Sequence, residues 1–325
     1  MTYSKEIVSA VIALKKAGIA HRSIAEQVFG KRTAASSVWY ILNEHFYNKP
    51  EKKEGPRILI FDIETSPELG YVWGRFKQFL APVQVKQRSF MLTWSAKWLG
   101  EDEVLDDAIP NHRPKYGYGI DEEGLLFPTT IDSYGEQDDK EIVSSMWRLL
   151  DRADVVVAHN GIRFDLPYLN SRFAYHNLGM PSPFKVVDTC KIAKKYFRFP
   201  ANSLKELGIY LGIEVPKLDT DFQLWIDCME GKKEAWEYMV EYNRYDVKLL
   251  EEVYLRLRSY DKSAPNLALY FDDDILRDPV TGSTEVVEDG FAYTAQSKFQ
   301  SYKGPTGHSF RSTKRVKGVK SVNAQ

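Results

Sequence analysis

Residues 57 to 66, Arg57-Ile58-Leu59-Ile60-Phe61-Asp62-Ile63-Glu64-Thr65-Ser66, form an apolar run that ends in two carboxylates one residue apart. The run reads as a buried strand around which the rest of the chain is organised. Side chains in a strand alternate faces, so Asp62 and Glu64 point one way and Ile63 the other. Such a pair makes a two-pronged cradle for a cation, or else simply ends a strand in solvent.

The chain beyond this strand reads as mixed α and β. Tyr71 to Phe76, Ser89 to Trp98 and Glu103 to Leu105, rich in aromatic and β-branched residues, predict further strands in a meander. Residues 106 to 137 show no sustained period and predict a long surface excursion, a candidate flap. A helix follows from about Lys140 to Arg152, then a buried strand over Asp154 to Ala158 and a turn at His159-Asn160-Gly161 that leads into a helix through Asp165. This order predicts a mixed sheet flanked by helices.

Two more acids sit at telling places. Asp165 lies in the first turn of a helix leaving a central strand, where open α/β sheets place their ligands, although an acid there also suits the helix dipole. Asp246 lies within a helical pattern from about Lys233 to Arg258, and spacing of four puts Tyr242 on its face. An exposed helix tolerates Asp, yet mid-helix its propensity is poor.

Taken together, Asp62-x-Glu64, then Asn160-x-x-x-Phe164-Asp165, then Tyr242-x-x-x-Asp246 resembles the three-motif pattern of the DEDD exonucleases with tyrosine in the third motif, within the RNase H-like superfamily. Asp62 to Thr65 and Phe164 to Leu169 are similar to the proofreading domain of family B DNA polymerases and its stand-alone relatives. The resemblance spans residues 57 to 258, including Val187-Asp188-Thr189 and Ser203 to Leu207. It implies a 3′→5′ exonuclease acting on DNA, on single-stranded or frayed ends. RNA trimming is the alternative activity, and a DNA-binding regulator with an idle nuclease-like scaffold is the alternative of another kind. It further implies that Asp62, Glu64, Asp165 and Asp246 hold two metal ions and that Tyr242 orients the nucleophile. Substrate contacts are implied for Ile63, Thr65, Asn160 and Phe164, the last two having structural readings as a turn residue and a core ring. Oxygen-only ligands select hard ions, so two Mg²⁺ or Mn²⁺ are expected, about 3.5 to 4 Å apart. Asp188 is expected to cap a helix or to support the site from behind its acids, and His159 to pack in the core.

The flanks have their own character. Apolar positions at helical spacing over residues 5 to 45, broken by Gly18 and Gly30, resemble a helix-turn-helix, with Lys31, Arg32, Ser36 and Ser37 toward phosphates, or else form a small helical bundle for protein contacts. Lys49 to Pro56 is polar and proline-bounded, a linker. After Asp289 no carboxylate side chain remains, while Lys303, Arg311, Lys314 and Arg315 accumulate among Phe291, Tyr293, Phe299, Tyr302 and Phe310. Cations with aromatics suit single-stranded nucleic acid, or the rings pack and the cations form a tail. Pro279 to Ser283 and Lys303 to His308 resemble the two knuckles of zinc ribbons, but Asp278, Thr281, Gly304 and Gly307 stand where cysteines would be, so no zinc is expected. The expected organisation is therefore a helix-turn-helix module at 1–48, a linker at 49–56, an exonuclease domain at 57–264 and a ribbon-like extension with a basic tail at 265–325.

Only two cysteines occur in 325 residues, which leaves no disulfide framework. Without an apolar run of membrane-spanning length or a signal peptide, the expectation is a soluble cytoplasmic protein with no membrane partner. The domain combination looks bacterial or phage-like.

Overall fold

The computed structural model describes residues 3–16, 21–31, 34, 37, 38, 41, 42, 55–112, 116–120, 126–130, 139–214, 218 and 220–318, with backbone alone at 16, 21, 22, 116–120 and 126–130. The chain separates into two compact units, Met1–Lys53 and Glu54–Gln325. In the first, α1 (Lys5–Lys16) and α2 (His21–Phe29) present Val11, Ile24 and Ala25 to a small core completed by Ala34, Val38, Ile41 and Leu42. Gly30 follows α2 with a φ of 69°, a left-handed stop that suits glycine. Lys31 is exposed after it; Arg32 and Ser36 lie outside the described residues.

The second unit is built on β1 (Ile58–Thr65). The ribbon β2 (Leu69–Gly70) and β3 (Val85–Gln87) follows, then β4 (Met91–Trp98), β5 (Val104–Ala108) and the hairpin β6 (Tyr116–Ile120) with β7 (Leu126–Thr130). Next come α3 (Lys140–Asp151), β8 (Val155–Ala158), α4 (Asp165–Tyr175), β9 (Lys185–Asp188), α5 (Thr189–Tyr196), α6 (Leu204–Tyr210), α7 (Phe222–Met229) and the long α8 (Lys233–Leu257). Five strands form one sheet in the order β5-β4-β1-β8-β9; β1 pairs antiparallel with β4 and parallel with β8. This is the expected mixed α/β sheet with helices on both faces.

The alternation of β1 divides the core. Leu59, Phe61 and Ile63 pack on one face with α3, α4 and the first turns of α8, while Ile58 and Ile60 pack on the other with α5, α6 and the remainder of α8. A strand covered on both faces needs an unbroken apolar run, which accounts for Ile58 to Phe61. The acids continue the Ile58 and Ile60 face, opposite Ser95 and Thr93 of β4, both fully buried.

Two expectations need correction. Residues 71–76 are not a strand: the chain there is irregular and Trp73 is fully exposed. β-propensity expresses packing against neighbours, and no strand pairs with this segment. The excursion after β5 is shorter than expected, since β5 runs to Ala108 and the β6–β7 hairpin occupies part of it; residues 113–115, 121–125 and 131–138 lie outside the described residues.

At the C-terminal end, β10 (Val287–Tyr293), β11 (Lys298–Lys303) and β12 (Ser309–Arg315) make an antiparallel sheet with β11 central. The two ribbon-like turns face each other across Asp278, which is fully buried. Its carboxylate accepts from the Val280 N–H and the Thr281 hydroxyl, each at 2.8 Å, and a Cβ at Gly304 would come within 2.3 Å of it. Glycine at 304 thus makes room for the carboxylate that ties the turns. Among the described residues, no helix is long and apolar enough to cross a membrane, and Cys190 and Cys228 are free and buried.

Candidate active site

Three of the four acids expected to share a site lie together. Asp62, Glu64 and Asp246 each offer a carboxylate oxygen, and these lie within 4.8 Å of one another; they form the one cluster of this kind among the described residues. Asp62 and Glu64 come from successive same-face positions of β1, and Asp246 comes from α8, which crosses that face. Asp165, in the first turn of α4, stands outside this trio but close enough for its charge to act on Asp62. Its carboxylate accepts from the backbone N–H of Ile63, which draws it to the edge of β1.

Burial and mutual repulsion push these carboxyls upward. Asp62 is raised well above the ordinary carboxylate range by desolvation, then by the charges of Asp165, Glu64 and Asp246; the Asn243 amide opposes the shift. Glu64 rises to about 8 through burial and the charges of Asp246 and Asp165. Asp165 rises to about 7 and Asp246 to about 6, burial leading in both. A group of acids this hard to ionise is a site in want of positive charge. Its donors are oxygen only and clustered, so the residues present fit a hard divalent cation.

Tyr242, one turn before Asp246, donates its hydroxyl to that carboxylate. Burial, then the charges of Asp246 and Glu64, raise its phenol further, so it stays protonated at neutral pH.

Two neighbours escaped the sequence reading. The Asn243 side chain, fully buried, donates from Nδ2 to Asp62 Oδ2 at 2.8 Å and holds that carboxylate in place. Trp225 of α7 donates to Glu64. A signal for Asn243 exists: it interrupts the buried stripe Met239, Asn243, Val247, Leu250, and a polar side chain in such a stripe needs a partner.

The turn that leads to Asp165 is anchored by Asp188. This buried carboxylate accepts from the N–H groups of Asn160 (3.0 Å), Ile162 (3.2 Å) and Lys191 (3.1 Å), so it caps α5 as expected and also ties the 160–162 turn. Asn160 sits at a φ of 62°, and Gly161 is obligatory because a Cβ there would lie 2.4 Å from that of Ala158. Asp188→Ala leaves three donors without their acceptor; the expected cost is about 2 to 3 kcal/mol in urea melts. His159 is half-buried, its ring nitrogens bonded to the Thr189 hydroxyl and the Asn202 carbonyl, each at 2.9 Å.

The expected substrate contacts divide. The Ile63 side chain is in the core at 3% exposure, as strand alternation requires, and its N–H is taken by Asp165. Thr65 is half-buried where the β1–β4 register shifts. Phe164 is not a core ring; it is 45% exposed and stacked on Tyr168 with centroids 6.0 Å apart. Asn160 lines an open groove of about 460 Å³ together with Arg163, Lys194 and Asn202.

In the C-terminal sheet, Lys303, Arg311, Lys314 and Arg315 are exposed, but the rings among them are engaged. Arg311 lies over Phe299 at 3.9 Å, Lys298 over Phe291 at 3.5 Å, and Tyr302 stacks on Phe310. Those cation contacts cover faces that base stacking would use.

Residues 119–258 match the sequence model of the RNase_H superfamily (RNase_H_2), a stretch that includes Asp165, Tyr242 and Asp246. The structure is also similar to that of the family B DNA polymerase from the hyperthermophilic archaeon Pyrobaculum calidifontis, at 18% identity and a TM-score of 0.37 over 62% of this chain. The chain spans 24% of that polymerase. No curated protein matches the sequence.

Proposed function

We propose, from an RNase H-like nuclease fold carrying an acidic cluster able to hold metal, that this protein is a divalent-metal-dependent 3′→5′ exonuclease that removes nucleotides from single-stranded or frayed DNA ends. The observation that carries this reading is the meeting of Asp62, Glu64 and Asp246 within 4.8 Å, with a protonated tyrosine bonded to the last of them.

Asp62, Glu64 and Asp246 would hold the metal, Mg²⁺ or Mn²⁺, with Asp165 completing the acid set around a second ion. When bound, such ions supply a water of lowered pKa and neutralise the charge that develops on the phosphodiester oxygens. The protein's own groups do the positioning. Asn243 fixes Asp62 and Trp225 fixes Glu64, so neither carboxylate turns away. Tyr242 keeps its proton at neutral pH and therefore orients the attacking water by hydrogen bonding rather than taking its proton. Asn160, Thr65 and the exposed Phe164 receive the terminal nucleotides. The exposed Lys31 of the N-terminal unit and the cations of the C-terminal sheet, Lys303, Arg311, Lys314 and Arg315, contact the phosphate backbone.

The test is incubation of 5′-labelled single-stranded DNA, duplex DNA and RNA with the protein in Mg²⁺ or in chelator. A ladder of 3′-shortened DNA that needs the metal is expected; shortening of RNA in preference to DNA reassigns the polymer, and intact polymers throughout reject the reading. Tyr242→Phe removes one orienting hydroxyl and no ligand, so the shortening rate should drop about 10- to 100-fold while the melting temperature holds. An unchanged rate would remove Tyr242 from the mechanism.

A further inference from the structure

We propose that the arm formed by residues 67–88, between β1 and β4, is a stacking platform for the single-stranded segment of nucleic acid that feeds the acid cluster. This deepens the exonuclease reading and rests on it for the identity of the ligand.

The arm is an ordered element. Gln84 pins its neck: the Gln84 carbonyl accepts from Tyr71 N–H at 2.9 Å, Gln84 Nε2 donates to the Tyr71 carbonyl at 3.0 Å, and Gln84 Oε1 accepts from Ala81 N–H at 2.9 Å. The β2–β3 ribbon closes below it. What this neck presents is costly for a soluble protein to leave bare: Trp73 is 100% exposed, Phe79 94% and Phe76 86%. Three large aromatics this naked on one short arm mark a binding surface.

Charge decides what binds. Between residues 67 and 88 the sole carboxylate is Glu68, against Arg75, Lys77, Lys86 and Arg88. Arg75, Lys77 and Lys86 are exposed. A dry protein interface is depleted of charge at its centre, whereas a single-strand platform interleaves rings for bases with cations for phosphates. The contrast with the C-terminal sheet is direct: its Phe291 and Phe299 are capped by the protein's own cations. Among the described residues, no cation or second ring stacks on Trp73, Phe76 or Phe79.

Position agrees. The arm leaves β1 immediately after Glu64 and Thr65, and its root is tied to the substrate-facing end of α4. Ser89 donates to the Ser66 carbonyl at 2.7 Å, and its hydroxyl shares a 2.9 Å hydrogen bond with that of Tyr168. Phe164 stacks on Tyr168. Two hydrogen bonds and a ring contact thus link the arm's base to the exposed ring beside Asp165.

The experiment is binding of fluorescein-labelled oligothymidylate to the full chain in chelator, so that hydrolysis plays no part. The Trp73→Ala/Phe76→Ala/Phe79→Ala variant is expected to bind at least about 100-fold more weakly at an unchanged melting temperature, because stacking is lost at three exposed rings. Arg75→Ala/Lys77→Ala/Lys86→Ala should flatten the dependence of log affinity on log salt by about 2, at roughly 0.7 per phosphate contact on a single strand. Wild-type affinity in the first variant overturns the proposal, as does a wild type that dimerises through these rings with oligonucleotide binding unaffected by their loss. A wild type that binds through the arm yet never shortens DNA in Mg²⁺ supports the platform and sinks the exonuclease reading alone.

Discussion

Asp62→Asn and Asp246→Asn are each expected to slow removal of 3′-terminal nucleotides by at least about a thousandfold, equivalent to some 4 kcal/mol of lost transition-state stabilisation. The same substitutions should raise the stability of the metal-free protein. That second sign follows from the electrostatics: desolvation and neighbouring carboxylates disfavour ionised Asp62, so a neutral isostere removes repulsion and keeps the shape. The expected gain is on the order of 1 to 3 kcal/mol, or several degrees in the melting temperature. Activity falling while stability climbs cannot come from misfolding. If either variant shortens DNA at the wild-type rate, or melts well below wild type, the cluster is not the catalytic centre described here.

A second large effect concerns pH. In the unfolded chain the four carboxyls titrate near 4, whereas in the folded protein Asp246 sits at about 6, Asp165 at about 7, Glu64 at about 8 and Asp62 is raised well above the ordinary range. Below about pH 4 both states are protonated and the site imposes no penalty. As pH rises the unfolded state releases protons that the folded state retains, so the metal-free protein loses stability from about pH 4 to about pH 8. On the proposed function, divalent cations would bind the ionised cluster and reverse the loss. Melting in chelator should therefore show a fall on the order of 5 to 10 °C between mildly acidic and mildly alkaline buffer, and millimolar Mg²⁺ or Mn²⁺ should restore the alkaline value. Asp62→Asn should blunt both responses. A flat or rising profile in chelator, or indifference to metal at alkaline pH, would show that the acids do not share one ion site.

The site was legible from local spacing because two rules place its acids. Strand alternation aligns Asp62 with Glu64, and helical spacing aligns Tyr242 with Asp246; each needs only a few residues of context. Asp165 was legible as lying in the first turn of a helix leaving a central strand. What could not be read was contact made across the fold. Asn243 reaches Asp62 over a separation of 181 residues, and Trp225 becomes a partner of Glu64 only once α7 has docked. The parity of Ile63 on β1 already sends its side chain to the core. The segment at Tyr71 to Phe76 misled for the opposite reason, since it has strand composition and no strand beside it. The same absence of neighbours leaves its rings in solvent. The C-terminal cations and aromatics were legible as a mixture, but only the folded sheet lays Arg311 and Lys298 over the rings.

The distance along the chain between Asp62 and Asp246 carries a consequence for synthesis. The acids of β1 leave the ribosome long before α8 does, and domains fold as their residues emerge. A nascent chain that has reached Asp188 holds Asp62, Glu64 and Asp165 but lacks the helix that brings Asp246, Tyr242 and Asn243 to them. For the exonuclease proposed above, translation would act as a safety catch: a ribosome stalled before that helix carries an incomplete site, which is finished only when the last turns of the domain close over the sheet.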